Sequence, residues 1–96
     1  MIKGWITWDN RLVMLNTIDH QHLSNIYYYI NYTLPEYYPQ SVKDEIQGIL
    51  QKRFKGIILP YKPRPEFKEE RIFLLNKGYL LSNNDIVVDG IKLGNY

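Results

Sequence analysis

Five prolines, at positions 35, 39, 60, 63 and 65, set the limits within which this 96-residue chain can build regular structure. Each removes a backbone donor and disfavours helical geometry in the residue before it. They fall in two clusters, so regular elements are confined to residues 1–34, 41–59 and 66–96. In the first stretch Asp19 is placed to cap a helix, and Leu23, Ile26, Tyr27, Ile30 and Leu34 recur at helical spacing. A helix over 19–33 follows, ended at Leu34-Pro35, with 35–40 as a loop.

Ser41, with Asp44 and Glu45 just after it, marks a second helix start. Val42, Ile46, Ile49, Leu50 and Phe54 share its apolar face, and Gly56 is placed to stop it. Ile57-Ile58-Leu59 reads as a strand or buried connection, and 60–65 as an extended, polyproline-like loop. A third helix fits 66–76, with Gly78 as terminator. The apolar runs 79–81, 86–88 and 91–93 are divided by turn residues and predict a small meander. At the other end, two β-favouring runs flank Asp9-Asn10 as a hairpin with a two-residue connection. The expectation is one α+β domain over 1–96: an N-terminal hairpin, two to three helices and a C-terminal meander.

The absence of cysteine excludes disulfides and thiolate chemistry. The apolar runs are far too short to span a bilayer, so no membrane role is expected. The N-terminal MIKGWITWDN has no apolar leader core, and the chain is expected in the cytoplasm, that of a host cell if its origin is viral. A net charge of +2 argues little by itself. Its distribution says more: residues 51–71 hold seven basic and three acidic groups, whereas 1–50 hold three and five. Any phosphate-binding surface would therefore draw on Lys52, Arg53, Lys55, Lys62 and Arg64, with Tyr61 for stacking.

His20 and His22 lie on different sides of a helix, and the chain has no third histidine, so no metal or cofactor is expected. On the same wheel Tyr27 points inward, while Tyr28, Tyr29 and Tyr32, with Asn25 beside them, form an aromatic face open to a partner protein. A dimer contact or a covering layer of the domain would use that face equally well. No nucleophile elbow, phosphate loop or metal-ligand helix is present, and no catalytic residue is assigned. Residues 75–80 and the hairpin after them have the outline of a winged-helix domain. Glu66, Glu69 and Glu70 on the preceding helix oppose a DNA-reading role.

Trp5, Thr7, Asp9, Asn10, Val13, Leu15, Ile18, His22, Leu23 and Asn25 form a pattern of their own. It resembles the N-terminal signature of a group of short, mostly uncharacterised bacteriophage proteins: a W-x-T-x-D-G hairpin, alternating aliphatics, and a helix carrying H-L-x-N. Asn10 stands at the glycine position and Ile18 at a common methionine. The resemblance implies a phage-type origin. The expected function is a small non-enzymatic binding protein that inhibits or sequesters a host or defence component, a protein or a signalling nucleotide. The alternative is a nucleic-acid-binding accessory protein using the basic 52–71 region.

Overall fold

The computed structural model describes residues 3–96. Strands β1 (Gly4–Ile6) and β2 (Leu12–Met14) pair antiparallel, with Trp5 opposite Val13 and Ile6 opposite Leu12. Their connection is longer than the two residues expected. Asn10 N–H donates to Thr7 O at 2.9 Å, Thr7 N–H to Arg11 O at 2.8 Å, and Asn10 takes the left-handed conformation at φ 63°. That makes a three-residue turn closed by a left-handed residue. The Thr7 hydroxyl bonds the Asp9 carboxylate and accepts from the Arg11 amide, which fixes the extra residue in place.

Helix α1 (His20–Tyr28) begins where expected, with Asp19 accepting from the His22 amide at 2.7 Å. It does not run regularly to 33. Residues Tyr29–Thr33 form one π turn, closed by Leu34 N–H on Tyr29 O at 3.0 Å. Asn31 Nδ2 and Thr33 Oγ1 bond back to the carbonyls of Tyr27 and Tyr29, each at 2.9 Å. Such back-bonding loosens a helix, and Pro35 then forces Leu34 out of helical geometry.

Helix α2 (Gln40–Phe54) starts one residue before Ser41, directly on Pro39. Ser41 is therefore inside the helix, and Gln40 bonds Asp44 across its first turn at 2.9 Å. Its end comes at Lys55 and Gly56, both left-handed, with the Gly56 amide returning to Leu50 O. Helix α3 (Lys68–Asn76) starts two residues later than expected and stops at Gly78. Strands β3 (Asp85–Val88) and β4 (Ile91–Asn95) form the second hairpin, turning at Asp89-Gly90, both at positive φ. The third run of the expected meander contributes only a bridge, Leu80 to Ile86.

Two apolar clusters hold the chain. Leu15, Ile18, Leu23, Ile26, Ile30, Ile46 and Leu50 join the first hairpin to α1 and α2. Tyr61, Leu74, Leu80, Ile86, Val88 and Leu93 close the C-terminal half. The segment between α2 and α3 ties them together. Tyr61 N–H donates to Leu93 O and Asn95 N–H to Tyr61 O, a parallel bridge at Gly94. A Cβ at Gly94 would lie 1.9 Å from Tyr61 O, so only glycine lets the two backbones meet. Among the described residues no helix is long and apolar enough to cross a membrane.

Candidate functional site

The polar side of α1 is committed to the chain itself. His20 Nε2 donates to Ile57 O at 2.7 Å, and its ring stacks on Phe54 at 4.0 Å. Gln21 reaches Pro60 O, and Ser24 Oγ accepts from the Leu59 amide. Asn25 donates to Lys62 O at 2.8 Å and accepts from Lys62 N at 3.1 Å. At 8% exposure Asn25 is a clamp on that backbone and belongs to no open partner face.

The expected aromatic row is also divided. Tyr28 stacks flat on Tyr61 at 5.6 Å and packs, with Tyr32, against the C-terminal cluster. Tyr29 turns toward the first hairpin and meets Trp5, Trp8, Tyr38 and Phe73. All three are half-buried, on two different sides of the molecule, so the continuous exposed face read from the helical wheel does not form.

Most of the basic residues are occupied, and they do not converge. Arg53 donates to Leu15 O and Ile18 O at 3.1 and 2.7 Å. Arg64 pairs with Asp19 at 2.5 Å. Lys62 holds Tyr96 O at 3.0 Å, and Lys55 is the exposed cap of α2. Tyr61 is 1% exposed and cannot stack on a ligand, which corrects its place in a phosphate-binding set. Lys52 and Arg53 do share one groove with Lys3, about 540 Å³ in volume and floored by Met14, Leu15 and Ile49.

A different constellation is assembled at the turn end of the first hairpin. Trp5, Trp8, Tyr29 and Tyr38, each half-buried, line a cleft of about 240 Å³ together with Ile6 and Thr7. Trp5 and Trp8 meet the Tyr29 ring edge-on at 6.3 and 5.4 Å, and Tyr38 closes the side at 5.7 Å from Trp5. Burial raises the phenols of Tyr29 and Tyr38 above their ordinary value. The π turn starts at Tyr29, and such turns recur at functional sites.

Trp5, Trp8 and Tyr29 also line a second, smaller pocket of about 20 Å³, room for one water. Its other walls include His22, Asn25, Phe67 and Glu70. Glu70 is 4% exposed and accepts from the Tyr61 hydroxyl at 2.5 Å. Burial pushes its carboxyl up to about 7, against the opposing influence of the Tyr61 bond and Arg64. Burial likewise holds the His22 imidazole below its ordinary value, aided by Arg64.

Sequence reasoning did not single out Trp5, Trp8, Tyr38 or Glu70 as a site. The signals were present: two tryptophans three residues apart around a turn, and an acid spaced like an apolar residue between Phe67 and Leu74, all three buried. Among the described residues no three of His, Asp and Glu gather into a metal-binding group. No family model, curated protein or solved structure matches this chain.

Proposed function

We propose that this chain is a small binding protein whose contact surface is the cleft of Trp5, Trp8, Tyr29 and Tyr38. The observation that carries this reading is the half-open arrangement of four large rings around one concavity. Aromatic side chains in concave, partly desolvated positions are where binding energy concentrates. The rings are fixed by mutual edge-on contacts and by the π turn, so little ordering entropy remains to be lost on binding.

The phage-type signature of residues 5–25 supports a partner from a host cell, a defence component included, that the chain inhibits by occupying it. The test is capture of a host-lysate component by the tagged chain, compared with Trp8→Ala/Tyr38→Ala. The cleft variant should lose capture while far-UV circular dichroism and melting show it folded. Undiminished capture by a folded cleft variant would remove the cleft from the proposal.

The groove of Lys3, Lys52 and Arg53 supports a second reading, an accessory protein for nucleic acid or nucleotide. Its groove contains three cations and no acid, but Arg53 already serves two carbonyls. On this reading binding weakens steeply with salt and is lost in Lys3→Glu/Lys52→Glu.

A further inference from the structure

The chemistry left unspent in the cleft narrows the ligand. No charged side chain lines it. Of its three side-chain hydroxyls, Thr7 is engaged with Asp9 and the Arg11 amide, and burial raises the phenols of Tyr29 and Tyr38 above their ordinary value. A carboxylate would find no cation in the lining to pair with. Ring faces remain, and their quadrupole is negative and attracts cations, most strongly over tryptophan.

The surroundings carry the same sign. Neither the cleft nor the smaller pocket is lined by Lys or Arg, and Glu70 lines that pocket together with Trp5, Trp8 and Tyr29. An ammonium with N–H donors would lose its water without finding a carboxylate in the lining. An alkylated ammonium has few or no donors to satisfy, and its methyl groups suit apolar ring faces. Resting on the reading of the cleft as the binding surface, we propose that it receives an alkylated ammonium group, held against Trp5, Trp8, Tyr29 and Tyr38.

Both tryptophans of the chain belong to the cleft, so tryptophan fluorescence reports occupancy locally. Choline, tetramethylammonium and the neutral isostere 3,3-dimethylbutan-1-ol are titrated in turn. Choline should bind about fivefold or more tightly than its isostere, the margin of a cation–π contact. Tyr38→Leu keeps both reporters and should reduce that preference, with a thermal melt verifying the fold.

Glu70 supplies a second readout. The titratable and charged groups around it are Tyr61, Tyr29, His22 and Arg64. Ionised Glu70 favours the cation and protonated His22 opposes it, so the choline preference should grow from pH 6 to pH 8. Glu70→Gln should remove most of that growth.

A trimethyllysine peptide and phosphatidylcholine vesicles separate the sources. Tighter binding to the peptide is the expected result, a protein side chain of the partner, and tighter binding to vesicles would overturn that assignment. Equal affinity for choline and its isostere, or no binding of any cationic probe, overturns the inference. If partner capture still depends on Trp8 and Tyr38 in that event, the cleft survives as a binding surface and only its ligand class falls.

Discussion

The two ends of the first hairpin present opposite kinds of concavity. At its turn end four rings surround a cleft without a charged side chain, and at its open end Lys3, Lys52 and Arg53 border a larger groove. Charge density along the sequence favours the groove, but the fold uses much of that charge internally. Arg53 holds the loop before α1, Arg64 holds Asp19, and Lys62 holds the end of β4 and Tyr96. The aromatic end is the reverse case. No charged side chain lines it, and its rings remain half-open. A residue type marks a functional surface only when folding leaves its characteristic interaction unspent.

The largest effect that would sharpen this contrast is loss of capture in Trp8→Ala/Tyr38→Ala. Two central aromatic anchors should cost about 100-fold or more in affinity, measured by titration of the captured partner. Next comes Glu70→Gln, read by denaturant melts across pH. In the folded chain Glu70 binds its proton up to about 7, whereas an unfolded glutamate releases it near 4.5. Its contribution to stability is therefore greatest below 4.5 and is lost as pH rises to about 7, on the order of 3 kcal/mol in all. The variant should be more stable than the parent at pH 8 and should lack that decline. His22 acts in the other direction. Its folded value lies below the ordinary 6.5, so its contribution is complete above 6.5 and disappears as pH falls through the depressed value.

The sequence made the helices and the second hairpin's turn legible because proline, glycine and apolar spacing act over a few residues, whereas the first turn proved one residue longer than Asp9-Asn10. Asp19, Gly78 and Asp89-Gly90 do locally what their types predict. Other features depend on distant partners. Asn25 was legible as a helix residue but not as a clamp, since Lys62 stands 37 positions away. Tyr61 lies in a loop by composition, yet becomes the most deeply buried tyrosine because Gly94 admits its backbone. The π turn depended on Asn31 and Thr33 bonding back just before a proline. Glu70 could be placed on a helix, but its burial required Tyr61 as partner.

Smaller effects test the basic end. Arg53→Ala should cost about 1–3 kcal/mol of stability, because Leu15 O and Ile18 O lose a charged donor, while capture of the partner stays unchanged. Lys52→Glu, on the exposed side of α2, should move the melting free energy by less than about 0.5 kcal/mol and leave capture intact. Impaired capture in the latter variant would transfer the binding surface from the cleft to the groove.

The most direct test follows the two indole N–H signals of the isotope-labelled chain by NMR as the captured partner is added. The account predicts that the Trp5 and Trp8 indoles shift or broaden together, while the amides of Lys52 and Arg53 hold their positions. Stationary indoles with moving Lys52 and Arg53 amides would contradict it.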